Sequence, residues 1–202
     1  TVAVVRSDVG YVLFYPLSLA AVPGQWGNLM QLGYGAGEMV MGVDDGSPGA
    51  RLETEFIGRI GSGKPDAFAL EDGGSDFPGV RPGRTSAMFR HDFDTVKRDG
   101  IALFRAGLAA AQTAGVKIDA LAAILPHQAN GKMGAWLARE LDLPPAQFFG
   151  NAEHVGNLGS AAIWVALHDL RCSGRLRTGG RVLVLGAEAA GYLYGGFVYV
   201  HA

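Results

Sequence analysis

Short apolar runs alternate along this chain with longer stretches of helical periodicity, and that alternation restricts the fold more than any other feature. Residues 2–5 form an apolar, β-branched run, as a buried strand does, residues 120–125 read as a short buried strand, and residues 51–57, 181–185 and 194–200 read as further strands. Residues 31–43 are strand-like around Gly33-Tyr34-Gly35-Ala36-Gly37, and Phe148-Phe149 reads as the start of a short strand. Between residues 94 and 114 apolar side chains recur at Val96, Leu103, Phe104 and Leu108, with Gly115 as the stop. Residues 131–141 place Met133, Trp136, Leu137 and Leu141 on one helical face. A third helix, 160–172, carries Ile163, Leu167 and Leu170 on its buried side and stops at Gly174. The pattern predicts an α/β protein with buried sheet strands. Residues 58–84, rich in Gly, Pro, Asp and Ser, read as a loop or lid.

Composition narrows the function classes. The chain has 17 Lys+Arg against 19 Asp+Glu, a formal net charge of −2, without the basic stripe of a nucleic-acid binder or a polybasic membrane-surface protein. With 49% hydrophobic and 18% charged residues it can bury a large core. The lone cysteine, Cys172, excludes an internal disulfide framework and fits a reducing, cytoplasmic compartment. Residues 182–200 include Glu188 and several glycines, so they read as two strands around a turn and not as a membrane span. A buried strand at the second residue leads to the expectation that its neighbours lie outside this sequence.

Two segments carry candidate chemistry. Pro126-His127-Gln128-Ala129-Asn130 follows a predicted strand and opens a helix, where α/β proteins build their sites. Gly156-Asn157-Leu158-Gly159-Ser160 also precedes a helix. Each has a plain structural reading, a capping histidine and an N-cap asparagine with turn glycines. Together they offer an imidazole and an amide that can jointly hydrogen-bond a carbonyl oxygen and stabilise charge developing on it. Rival motifs fail. Glu38 stands where a dinucleotide fingerprint needs its third glycine, and no Gly-x-Ser-x-Gly elbow is present. The five histidines show no helix-spaced pair with a carboxylate, so no metal is expected. His154 is the one other histidine near Asn157, and Asp92 and Asp94 beside His91 look like a helix start.

The run His127-Gln128-Ala129-Asn130, the later Gly156-Asn157-Leu158-Gly159-Ser160-Ala161 and the closing Gly191-Tyr192-Leu193-Tyr194-Gly195-Gly196 resemble the β-ketoacyl-ACP synthase III family, in order and in spacing. Gly33-Tyr34-Gly35-Ala36-Gly37 is similar too, although Tyr34 stands where the family commonly has Asp. The resemblance implies a thiolase fold with α-β-α-β-α layering. This chain would supply the C-terminal half, residues 46–202, and the end of the N-terminal half, residues 1–45. It further implies decarboxylative Claisen condensation of an acyl thioester primer with a malonyl thioester, as in fatty acid or polyketide biosynthesis. His127 and Asn157 are then the catalytic pair, and backbone N–H groups at Ala190 and Gly191 contribute an oxyanion hole. Gln128, Asn130 and Lys132 lie on the substrate or carrier side. The substrates would be CoA or phosphopantetheine thioesters, with acyl-CoA or acyl carrier protein as partner and no bound cofactor.

The family's nucleophilic cysteine has no counterpart here. Cys172 falls at the C-terminus of a predicted helix, where the helix dipole does not favour negative charge, and does not replace it. The expectation is a nucleophile on a segment outside this chain, in a homodimeric or heteromeric assembly. Two alternatives stay open: a non-catalytic structural subunit, and an acyltransferase on the same fold that does not decarboxylate.

Overall fold

The computed structural model of the protein describes residues 2–8, 33, 35–71 and 88–202. In chain order the strands are β1 (Val2–Asp8), β2 (Gly35–Met41), β3 (Arg51–Arg59), β4 (Phe68–Glu71), β5 (Met88–His91), β6 (Ala123–Pro126), β7 (Arg181–Glu188) and β8 (Leu193–Val200). The helices are α1 (Phe93–Thr113), α2 (Met133–Leu141), the single turn α3 (Ala152–Val155) and α4 (Ala162–Cys172).

A four-stranded mixed sheet in the order β3-β8-β7-β6 forms the centre. β6 and β7 run parallel, and β7, β8 and β3 form an antiparallel series. Successive side chains of a strand point to opposite faces, and the core divides accordingly. Ile124, Leu183, Leu185, Val198 and Val200 join one cluster with Phe104 and Ala111 of α1. Ala123, Leu125, Val182, Val184 and Tyr199 join another with Ala166, Leu167 and Leu170 of α4. Each face of the sheet is thus closed by a helix. Beyond α4 lies the antiparallel pair β1–β2, so the layers run α1, central sheet, α4, β1–β2.

The long helix has complete ends. Asp92 caps it, its Oδ1 accepting the Thr95 N–H at 2.9 Å and its Oδ2 the Thr95 hydroxyl at 2.7 Å. At the other end Gly115 takes φ 88°, and the N–H groups of Val116 and Gly115 bond back to the Ala111 and Gln112 carbonyls. Buried Val116 covers the turn.

Several expected elements begin later than the sequence pattern suggests. Residues 118–120 form a 3₁₀ turn, so the strand expected from 120 starts at Ala123. The helices expected from 131 and 160 start at Met133 and Ala162, because the preceding residues are taken up by turns. Phe148 makes only an isolated parallel bridge to Ile124, its chain turning away after one pair. The expected loop 58–84 is corrected at both ends of its described part. Gly58 and Arg59 continue β3 against Tyr194 and Leu193, and residues 68–71 form β4, paired with β5. Its remainder, 72–84, lies outside the described residues, as do Tyr34 and the first residues of the strand expected over 31–43.

A Cβ at Gly196 would collide with the Val184 carbonyl oxygen and sit 2.8 Å from Phe56 Cζ, whereas one at Gly42 would meet nothing within 4 Å. Gly196→Ala is therefore expected to destabilise the intact protein by about 1–3 kcal/mol, and Gly42→Ala to change little. Urea unfolding midpoints of the two variants check this.

Candidate active site

His127 is the residue after β6. Its N–H bonds to the Leu185 carbonyl at 2.8 Å, extending the parallel ladder and holding the residue at the carboxyl end of the sheet. There it lines a cavity of about 1310 Å³. Neither ring nitrogen has a hydrogen-bond partner among the described residues. Burial holds the imidazole pKa below the ordinary value of 6.5, and the nearby charge of Glu188 opposes that shift. At neutral pH the ring is uncharged, with one N–H to donate.

Asn157 reaches the same cavity from another direction. Phe149 N–H bonds to the Ile124 carbonyl at 2.9 Å and Phe148 bridges Ile124 in parallel, so residues 148–152 run beside the end of β6. One turn of helix follows, then Gly156 with φ 74°, then Asn157. The Asn157 carbonyl accepts the Gly33 N–H at 2.8 Å, and its Oδ1 accepts the Gly159 N–H at 2.9 Å. With the amide oxygen so engaged, the Nδ2 donor is the end left for a ligand. Asn157 caps this local turn, while α4 starts five residues later behind a 3₁₀ turn. The site thus presents two neutral donors, an arrangement suited to an oxygen that gains negative charge.

Most of the cavity wall is apolar, with Val96, Leu103 and Phe104 from α1, Ile163 from α4 and Phe197 from β8. Lys97, Lys132 and Arg139 bring cations to its solvent-exposed part. Among the described residues no group of His, Cys, Asp or Glu is arranged to hold a metal, and no helix is long and apolar enough to cross a membrane.

The other expected site residues divide. Asn130 and Lys132 line the cavity, but the Asn130 Oδ1 is occupied by the Lys132 N–H at 2.9 Å, closing the turn before α2. Gln128, expected on the substrate side, turns inward and is 3% exposed; its Oε1 accepts the N–H groups of Asn151 and Ala152 at 2.8 and 3.0 Å. The expected oxyanion donors are also corrected. The Ala190 and Gly191 N–H groups both donate to the Glu188 carboxylate, the latter at 2.7 Å, because that side chain folds back over its own turn. Arg59 Nε holds the same turn through the Gly191 carbonyl at 2.9 Å.

Glu188 itself lines the cavity and was not singled out from the sequence, where one acid in a turn carries no periodic or motif signal. His91, read from the sequence only as the neighbour of a helix start, also lines the cavity and stacks on Phe93 with ring centroids 3.8 Å apart. His154 is exposed and outside the cavity lining. Cys172 is an exposed thiol at the end of α4, its Sγ 3.7 Å from His168 Nε2.

Comparison with known proteins agrees with this architecture. Residues 111–200 match the family described as 3-oxoacyl-[acyl-carrier-protein] synthase III, C terminal. A mycobacterial β-ketoacyl-[acyl-carrier-protein] synthase III from Mycobacterium ulcerans is 30% identical over 145 residues, 58% of this chain and 43% of that protein. A 3-oxopimeloyl-[acyl-carrier-protein] synthase from Rhodothermus marinus is 33% identical over 141 residues, 66% of this chain and 39% of that protein. Among solved structures, the 3-oxoacyl-(acyl carrier protein) synthase III of Pseudomonas aeruginosa superposes with a TM-score of 0.74 at 25% identity, over 98% of this chain and 57% of that one. OleA of Xanthomonas campestris shares the fold, with a TM-score of 0.78 at 20% identity, over 98% of this chain and 56% of that one. The chain spans about half the length of the relatives it matches. Residues 111–200 are thus similar to the C-terminal domain of the 3-oxoacyl-[acyl-carrier-protein] synthase III family, and the chain has the thiolase fold of these structures.

Proposed function

We infer that His127 and Asn157 act as a pair on the carbonyl oxygen of a malonyl thioester. The neutral imidazole N–H and the Asn157 Nδ2 donate to that oxygen. The bond from the α-carbon to the carboxylate breaks, carbon dioxide leaves, and the electron pair moves onto the oxygen as an enolate. The enolate carbon then attacks an acyl thioester carried on a cysteine, the cysteine leaves as thiolate, and a β-ketoacyl thioester forms. The cysteine belongs to a segment outside this chain, and CoA or carrier-protein thioesters are the substrates. One observation carries the reading: two neutral donors from separate loops line one largely apolar cavity, where such donors are worth more than in water.

A second reading, acyl transfer to a hydroxyl or amine without decarboxylation, is favoured by Glu188. Its carboxylate on the same wall opposes the approach of a malonyl carboxylate and suits a ligand that carries a proton to give up.

Carbon dioxide release from malonyl-CoA by the full-length protein separates the two readings. The condensing reading expects release, and expects Asn157→Ala to lower its rate by about 10²–10³-fold. Transfer of an acyl group to a hydroxyl or amine with no release would overturn it. Acidity gives a second check. The His127 pKa lies below 6.5 in the folded protein, so the ring's stability contribution is complete above the unfolded value of about 6.5 and is lost as pH falls through the folded value. Decarboxylation should fail over the same acid range. Glu188 raises this pKa, so Glu188→Gln should move the acid limb of the rate profile to lower pH. An NMR titration of the His127 ring measures both.

A further inference from the structure

Two loops must hold their donors in one geometry, yet His127 and Asn157 are thirty positions apart and have no hydrogen bond to each other. The link between them lies behind the cavity. Gln128 is 3% exposed and Asn151 8%, two of the few buried polar side chains among the described residues. Gln128 Oε1 accepts the N–H groups of Asn151 at 2.8 Å and Ala152 at 3.0 Å, and its Nε2 lies 3.5 Å from Asn151 Oδ1. Asn151 Nδ2 in turn donates to Asp169 Oδ2 of α4 at 2.6 Å. The chain of bonds therefore runs from the residue next to His127, through the start of the turn that leads to Asn157, to α4.

Close packing marks the same seam. A Cβ on Gly150 would come within 2.5 Å of Gln128 Oε1, and one on Gly131 within 2.7 Å of Glu153 Cα. From Asn151 onward the path to Asn157 is short and bonded, with Val155 N–H on the Asn151 carbonyl at 3.2 Å and Gly156 N–H on the Ala152 carbonyl at 3.0 Å. A shift at Asn151 is therefore transmitted to Asn157.

We propose that Gln128, with Asn151 and Asp169 behind it, is a positioning residue that sets the separation of the His127 and Asn157 donors. Gln128 touches no substrate in this role. Buried polar groups that are fully bonded specify one arrangement of the segments they join, and small misplacements of reacting groups cost large factors in rate. The proposal rests on the His127–Asn157 pair being the reactive site.

The test is Gln128→Met in the full-length protein, which keeps the volume and removes both amide functions. For malonyl-CoA decarboxylation kcat should fall by up to about 10²-fold with KM little changed. In an Asn157→Ala background the same substitution should cost little more, because the donor it positions is already gone. A folded variant with unaltered kcat, or losses that multiply in full across the two backgrounds, would overturn the proposal.

A substrate-free readout separates this from failure of the proposed reaction. If the parent protein releases no carbon dioxide, the His127 ring titration decides alone. Loosening the seam admits water and should move that pKa up toward 6.5, whereas an unchanged titration counts against positioning. Should Gln128→Met not fold, Asn151→Ala takes its place, since it keeps both backbone donors to Gln128 and releases Asp169. It should show the same two effects at smaller amplitude, and absence of both defeats the proposal.

Discussion

The parallel pairing of β6 with β7 is the constraint on which the rest of the structure depends. Both strands are buried on both faces, so each face needs a helical cover, and a parallel pair needs a long crossover between its strands. That crossover, residues 127–180, supplies α2, α3 and α4 together with both loops that carry the candidate donors. His127 sits where it does because its N–H still belongs to the ladder, on the Leu185 carbonyl. Residues 148–152 lie beside it because the same crossover passes back along the free edge of β6, bonding to Ile124 on the way.

The electrostatic character of the site follows from that placement. At the end of a buried strand the His127 imidazole loses solvation and remains neutral, a donor without a full charge. Asn157 is neutral by nature, and its Oδ1 is held by the Gly159 N–H. The permanent charges are set differently: Lys97, Lys132 and Arg139 are exposed, and Glu188 is bound by two backbone N–H groups of its own turn. The cavity therefore has a long apolar wall, neutral donors at depth and cations toward solvent.

Much of the frame was legible in the sequence because it rests on local periodicity. The apolar runs of β7 and β8, the buried stripe of α1 and the glycine stop at Gly115 each reflect a one-dimensional pattern with a direct physical cause. Element starts were less so, since the 3₁₀ turns at 118–120 and 159–161 end on Ala120 and Ala161, small apolar residues that fit a turn as well as the element beyond it. His127 and Asn157 stood out through their motifs, and both line the cavity. The direction of Gln128 was not legible. A glutamine beside a site histidine can face the ligand or the interior, and the choice depends on Asn151, 23 positions away.

By itself the sequence determined which segments become strands and helices, which of their faces are apolar, and which two short loops hold an imidazole and an amide ahead of a helix. Those properties follow from side-chain size, branching and spacing along the chain. Only the tertiary structure decided that both loops open on one cavity, that Gln128 braces them from behind, and that the Ala190 and Gly191 N–H groups serve Glu188 instead of the cavity. Each of these is a choice of hydrogen-bond partner between groups with several chemically equal options, and the choice is made by which segments the buried β6–β7 pair brings into contact.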